Sequence, residues 1–299
     1  MQLITEAQVA CALDPDTARR ALRQAFLQHG RGQAQVLARH RATRTQDGAA
    51  LAISAMGAIL DADGDLPAVL GTKVYSARNG RYHFLVSLFS AATGAPLATL
   101  EANEFTRLRT AAASAVAADL LALPDAKTLA VFGAGIQARA HAEALMRVRR
   151  FERVLVCARS GAEAFAAELG ARAVDAATAA AEADVIVTAT RSPTPLFDGA
   201  LVKPGAFIAA VGSSTRAARE LDDALLDRAA LIAVEWRTAA AQEAGDLVNS
   251  APERWAELGE LLVTPRPRGP QDLVVYKSVG IGLEDVALAR FVAHRLGVR

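Results

Sequence analysis

The sequence predicts an α/β protein with a doubly wound parallel sheet in its second half. Before it comes an α+β domain built from both chain ends. Three observations predict this. Up to about residue 100, short apolar runs are separated by tight-turn clusters. After Pro124, strand-like runs alternate with helical stretches, and a glycine-rich turn joins the first of those strands to its helix. Runs closed by turns read as an antiparallel meander, whereas strand–helix alternation reads as a parallel sheet with right-handed crossovers.

Taken in order, Asp14-Pro15 reads as an N-cap followed by proline at the first helical position, with Ala18, Leu22, Ala25 and Phe26 on one face. The runs Ala50–Ile53, His83–Phe89 and Pro96–Leu100 read as strands. The clusters Gln46-Asp47-Gly48, Arg78-Asn79-Gly80 and Ala92-Thr93-Gly94 read as turns. Thr106 is placed to cap a long alanine-rich helix running to about Leu123 and stopped at Pro124. Then come a strand at Lys127–Phe132, a helix to about Val148, and a second strand at Arg153–Ala158. Ser160-Gly161-Ala162-Glu163 reads as a capping box opening the next helix. Asp184–Thr190, Ala206–Val211 and Leu231–Val234 read as further strands, Thr264–Pro270 as a loop, and Leu283–Leu296 as a closing helix. The pattern divides the chain into a first domain of 1–118 with 275–299 and a second of 119–274.

Composition excludes several classes of function. Of 299 residues, 52% are hydrophobic and 22% charged, too apolar for a disordered chain. Lys plus Arg number 33 against 32 for Asp plus Glu, spread along the chain, so no basic excess serves nucleic acid. No apolar run reaches the ~18–20 residues of a membrane span. The opening Met1–Glu6 has no signal-peptide pattern, and Cys11 and Cys157 form neither metal spacing nor disulfide framework. The expectation is a soluble cytoplasmic protein without nucleic-acid, membrane or metal partners. The five histidines lack ligand spacing, Trp236 and Trp255 read as core, and Cys157 reads as a small core residue.

The sharpest local signal is Gly133-Ala134-Gly135-Ile136-Gln137-Ala138, which follows a strand and opens a helix. In that setting Gly133 permits the tight turn, Gly135 lets the backbone approach a pyrophosphate, and Ala138 lets helix and strand pack closely. The helix N-terminus then offers amides and partial positive charge to the phosphates. The motif makes the second domain a Rossmann-type dinucleotide site. An acidic residue ending the second strand would select NAD; here the strand ends in Ala158-Arg159-Ser160. A guanidinium and a hydroxyl suit a 2′-phosphate, so NADP(H) is expected to be preferred, with NAD(H) possible. The plain alternative for Arg159 is a solvated surface arginine.

Elsewhere the candidate chemistry is basic: Lys73 after Gly71-Thr72, and Arg109-Thr110 early in the long helix. Together with other segments these residues carry a resemblance. The segments are Thr93-Gly94-Ala95-Pro96, Thr106–Ala112, Gly133–Ala138, Lys203-Pro204-Gly205 before Ala210-Val211-Gly212, and Glu220-Leu221-Asp222-Asp223. They continue with Glu243-Ala244-Gly245-Asp246, Ala256–Glu260 and Lys277-Ser278-Val279-Gly280. In this order and spacing the chain, from about residue 5 to its C-terminus, resembles the ornithine cyclodeaminase/μ-crystallin family.

The resemblance implies a homodimer whose subunits bind NAD(H) or NADP(H) and act on amino or imino acids. It implies a substrate carboxylate held by two arginines and a lysine, with Lys73 and Arg109 at two of those positions. Spacing to Met56 selects Arg41 as the other arginine, with Arg39 and Arg44 close by. It also puts Thr110, Ile136, Gln137, Ser160, Thr190, Val211 and Ser278 around the cofactor. The family's Met-Pro is Met56-Gly57 here, which implies a different local backbone.

One departure bears on the reaction. Where cyclodeaminases carry an acid/base aspartate this chain has Ser214, and a lysine found a few residues later is Ala218. A hydroxyl cannot shuttle protons as a carboxylate does at neutral pH. The resemblance therefore leans to the μ-crystallin and ketimine-reductase branch: an NAD(P)H-dependent reductase of a cyclic imino acid, with Lys73, or a water it orients, as proton donor. The alternatives are an ornithine cyclodeaminase, and a non-catalytic, NADPH-dependent, crystallin-like binding protein.

Overall fold

The computed structural model describes residues 1–298. The chain forms two compact units, one of Met1–Ala113 plus the stretch from Ile281, the other of Ser114–Gly280. The divisions thus fall inside a helix and just after a strand, not at 118 and 275.

In the first unit β1 (Gln2–Ile4), α1 (Glu6–Ala12) and α2 (Pro15–Gly30) precede a run of strands. These are β2 (Ala34–Gln46), β3 (Ala49–Leu60), β4 (Val69–Arg78), β5 (Arg81–Ser90) and β6 (Pro96–Glu101). The sheet order is β1-β6-β5-β4-β3-β2, with β1 parallel to β6 and the rest an antiparallel meander. Asp47-Gly48 and Asn79-Gly80, all at positive φ, close the β2–β3 and β4–β5 hairpins. Two left-handed residues give the turn whose twist matches the strands. The meander is much larger than the apolar runs predict. β2 has almost no buried residue, so alternation with solvated Arg and Thr hid it, and β4 interleaves Lys73 with apolar neighbours.

The Asp14 carboxylate accepts from Thr17 N at 2.9 Å, with Pro15 at the first helical position, as the sequence predicts. Thr106 does not cap the next helix. α3 (Asn103–Leu121) begins three residues earlier, and its first amides, Asn103 N and Glu104 N, donate to the Glu6 carboxylate at 2.6 and 3.1 Å. A distant side chain thus satisfies the orphan donors that Thr106 would have served.

The second unit contains β7 (Thr128–Phe132), α4 (Ile136–Val148), β8 (Arg153–Cys157), α5 (Ala162–Leu169), β9 (Arg172–Ala173) and α6 (Ala176–Glu182). It continues through β10 (Val185–Thr188), β11 (Phe207–Ala210), α7 (Asp223–Arg228), β12 (Leu231–Val234), α8 (Arg237–Glu243), β13 (Trp255–Glu257), α9 (Leu258–Val263) and β14 (Val274–Lys277). All eight strands are parallel in the order β13-β12-β14-β11-β10-β7-β8-β9. The strand direction of travel reverses between β7 and β10, where doubly wound sheets open a crevice at their carboxyl ends. Strands β7, β10, β11 and β14 are buried throughout, as expected of a sheet covered on both faces.

The capping box at Ser160–Glu163 is not formed. Gly161, at φ +73°, is the N-cap of α5 and no side chain caps it. α10 (Gly282–Arg295) then packs within the first unit across β3 and β4. Its approach is close: a Cβ on Gly282 would lie 2.3 Å from the Gly57 amide nitrogen. The Met56-Gly57 departure therefore has a steric reason. A Cβ on Gly57 would lie 2.3 Å from Gly71 O on β4. The bare Gly282 lets α10 press onto the Gly57 backbone, with Asp285 on Lys73 of β4 and Glu284 on Arg109 of α3.

Candidate active site

In the first unit, Met56 on β3 is the register partner of Lys73 on β4, and Ser54 that of Tyr75. These side chains share the inner face of the sheet. Lys73 is 1% exposed, and its Nζ donates to Thr106 Oγ1 and to Asp285 Oδ1, each at 2.9 Å. The Phe84 ring centroid lies 4.5 Å from the ammonium. Arg109, one turn after Thr106 on α3, donates from a terminal nitrogen to Glu284 Oε2 at 3.0 Å, and its Nε lies 3.7 Å from Asp285 Oδ1. Glu284 also accepts from Ile281 N, locking the first turn of α10. Burial pushes the Lys73 ammonium down from its usual range to about 8, Asp285 opposes that fall, and Arg109 and Arg39 add to it.

The spacing argument selects Arg41, but Arg39 is the arginine whose field reaches Lys73. Arg39 donates to Met56 Sδ at 3.3 and 3.4 Å, beside Lys73 in the register. Arg41 is exposed and donates to Ser54 Oγ and Tyr75 Oη, each at 3.1 Å, one pair further toward the hairpin tip. An irregularity in the β2–β3 register between Leu37 and His40 shifts the count by which sequence spacing chose between them.

In the second unit a crevice of about 970 Å³ opens at the carboxyl ends of β7, β8 and β10. Gly133, Gly135, Arg159, Ser160, Thr190 and Arg191 are in its lining. Gly133 has φ +113°, and a Cβ there would sit 2.7 Å from Ala189 O, so the turn admits only glycine. A Cβ on Gly135, by contrast, would meet nothing within 4 Å, so the space beside that N-cap is open. Ala138 is buried under the turn. Ile136 is 69% exposed in the first turn, and Gln137 Oε1 is buried without a hydrogen-bond partner. An uncapped helix start, an orphaned amide oxygen and a crevice of this size fit a dinucleotide. Arg159 and Ser160 are exposed at the crevice rim.

The remaining sequence-selected residues are more scattered. Thr110, in the first unit's part of α3, donates back to Thr106 O at 2.9 Å. Val211 follows β11, its amide donating to Thr188 O at 2.9 Å, and the buried Ser278 donates to Glu235 Oε1 at 2.6 Å. Ser213 is buried with its hydroxyl on Ala218 O, and Ser214 beside it is half-buried.

Sequence reasoning missed the buried acids. Glu220 Oε1 accepts from Thr190 N and Oγ1, each at 2.7 Å, and Oε2 accepts from Thr188 Oγ1 at 2.8 Å and Gly212 N at 2.7 Å. One carboxylate therefore ties the end of β10 to the turn after β11. Burial raises its titration, against the pull of Lys277. Lys277 in turn lies 2.7 Å from Asp246 Oδ2 and donates to Ser213 O at 2.7 Å. Glu220, Asp246 and Lys277 stood inside quoted motifs, which was the available signal. Glu284 and Asp285 gave none, because two acids in a first turn ordinarily face water.

Comparison with known proteins agrees with this architecture. The model of the ornithine cyclodeaminase/mu-crystallin family matches residues 2–297. The chain is 39% identical over 212 residues to the ketimine reductase mu-crystallin of Mus musculus, covering 69% of this chain and 67% of that one. A probable ornithine cyclodeaminase from Bordetella pertussis Tohama I superposes with TM-score 0.91 at 41% identity, covering 99% of this chain and 97% of the other. The Thermococcus litoralis Δ1-pyrroline-2-carboxylate reductase, solved with NADH and L-proline, superposes with TM-score 0.88 at 28% identity, covering 100% and 99%. A Rossmann-type unit with that glycine turn, a buried lysine among arginines, and a family match over nearly the whole length lead to one conclusion: the chain belongs to the ornithine cyclodeaminase/mu-crystallin family.

Proposed function

We propose that the protein is an NAD(P)H-dependent imino-acid reductase that takes a cyclic ketimine carboxylate, of the pyrroline- or piperideine-2-carboxylate kind, and prefers NADPH. The observation that carries the reading is Lys73: a buried ammonium, lowered to about 8, set beside Arg109 and Arg39 on one face of the sheet. The bound nicotinamide supplies a hydride to the imine carbon. The chain's own residues do the rest. Arg109 and Arg39 hold the carboxylate, whose two oxygens match a planar guanidinium fork. Lys73 gives a proton to the ring nitrogen, so that C=N becomes CH–NH, and regains its proton from water. A donor titrating near 8 is both protonated at neutral pH and ready to release.

The cofactor preference is supported by Arg159 and Ser160 at the rim of the crevice, with no carboxylate at that strand end. The carboxylate clamp is assigned to Lys73, Arg109 and Arg39, with Arg41 beside it. Assembly as a homodimer is supported by the outer sheet face of the first unit. Leu37, Ile53, Ile59, Val74 and Leu85 are exposed there, and clustered exposed apolar side chains mark association surfaces.

The competing reading is ornithine cyclodeamination, which the same family would accommodate. Ser214 argues against it, because that step needs a proton-shuttling carboxylate. The test is NADPH consumption with Δ1-pyrroline-2-carboxylate and Δ1-piperideine-2-carboxylate, run beside ammonia release from L-ornithine with NAD. Imine-dependent oxidation of NADPH without ammonia is expected. Efficient ammonia and proline production would replace the reductase reading with the lyase.

A further inference from the structure

The Lys73 ammonium is held from two sides. Asp285 Oδ1 and Thr106 Oγ1 each accept one of its three protons at 2.9 Å. The Thr106 hydroxyl itself donates to Ala102 O at 2.7 Å, so only its lone pairs face the lysine. Asp285 is fully buried, and its Oδ2 receives no hydrogen bond. A buried carboxylate half of which lacks a donor is costly, so its presence calls for a role.

We propose that Asp285 is the positioning residue of the proton-donating step: its carboxylate keeps the Lys73 ammonium charged and turns the third N–H toward the substrate nitrogen. This rests on reading Lys73 as the proton donor. In the step the Lys73 Nζ–H bond breaks and an N–H bond forms on the substrate as hydride from NAD(P)H reaches the imine carbon. Lys73 is left as the neutral amine and is reprotonated from water.

The surrounding charges make Asp285 the natural control. Arg109 from α3 and Arg39 from β2 both oppose the charge on Lys73. Glu284, next to Asp285 on α10, is engaged by Arg109. Tyr75, on the same strand, and Phe84, on β5, present rings to the ammonium at 5.9 and 4.5 Å. Remove the Asp285 charge and three cations remain against Glu284. Guanidinium groups do not titrate, so the lysine is the one that gives up its proton.

The experiment compares the wild-type protein with Asp285→Asn, a substitution of nearly equal size. Two readouts are taken: the pH dependence of imine reduction and the titration of Lys73 Nζ by ¹⁵N NMR. The substrate's own titration is common to both proteins and cancels. The wild-type basic limb should fall near pH 8, where burial and Asp285 together place Lys73. In Asp285→Asn it should move down by about 1–3 pH units, with kcat falling more than KM rises. An even loss at all pH values, with the Lys73 titration unmoved, would overturn the proposal and leave Asp285 a packing residue.

Should the asparagine variant not fold, Asp285→Glu decides. It keeps the charge but displaces it, so the limb should stay near its place while kcat drops; unchanged kcat overturns the positioning role. If the wild-type protein reduces no imino acid, the functional reading fails by itself. The NMR titration still decides whether Asp285 holds the Lys73 proton.

Discussion

The basic cluster of the first unit and the crevice of the second carry charge in opposite ways. In the first, Lys73, Glu284 and Asp285 are 0–1% exposed and Arg109 is 8% exposed, so cations and carboxylates balance one another away from water. In the second, the crevice is shaped by backbone, with Gly133 forced to positive φ and Gly135 beside open space, while Arg159 stands at an exposed rim. Buried charges interact strongly and tolerate little displacement; exposed ones are screened and forgiving. The proposed clamp is therefore where geometry is preset, and the proposed cofactor rim is where a substitution disturbs the fold least. Removing one partner of the Lys73–Asp285 pair would leave a buried charge uncompensated, typically a loss of about 3–5 kcal/mol.

The largest expected effect tests the clamp itself. Arg39→Ala should lower kcat/KM about 100-fold, because a carboxylate held less well lets the reacting carbon drift by a fraction of an ångström. Arg41→Ala, whose guanidinium sits on Ser54 and Tyr75, should cost much less. Steady-state kinetics on both variants sharpen the comparison; the reverse order would move the clamp one pair toward the hairpin tip.

The next effect tests the rim. Arg159→Asp should weaken NADPH binding about 10- to 100-fold at low salt, through loss of a charge-assisted contact and repulsion of the 2′-phosphate. NADH binding should hold or improve. Because the residue is exposed, the wild-type preference should shrink as salt rises. Titrations of both nucleotides at two ionic strengths measure this, and an unchanged ratio would break the contrast between units.

The smallest effect concerns a place where the second unit behaves like the first. Glu220→Gln replaces an oxygen that accepts from backbone or hydroxyl with an amide that donates, so one of its buried partners loses its acceptor. A thermal melt should show a loss of about 1–3 kcal/mol. The KM for NADPH should rise with it, since Thr190 and Gly212 are the groups Glu220 fixes. A melt without any change in nucleotide KM would confine Glu220 to stability.

What was legible in the sequence was whatever local chemistry dictates. Asp14-Pro15 starts a helix, Asp47-Gly48 and Asn79-Gly80 turn hairpins, and Gly133–Ala138 joins strand to helix, each for reasons contained in a few neighbouring residues. Those short-range rules, with the alternation after Pro124, were enough for the fold class and the glycine turn, whereas Lys73 and Arg109 were singled out through the family resemblance. The Thr106 and Ser160 caps failed because the partner of a helix start need not be nearby: Glu6 took the first role and a left-handed Gly161 removed the second. The contacts of Arg39 with Met56 and of Arg41 with Ser54 and Tyr75 follow a β2–β3 register that is irregular between Leu37 and His40, which spacing cannot reveal. The acids were decided by tertiary structure alone. Glu284 and Asp285 stand more than 170 residues from Arg109 and Lys73, and the packing of α10 across β3 and β4, close where Gly282 meets Gly57, brings the two pairs together. Sequence fixes which side chains can carry charge; whether a charge is buried, and against what, is settled only when distant segments pack.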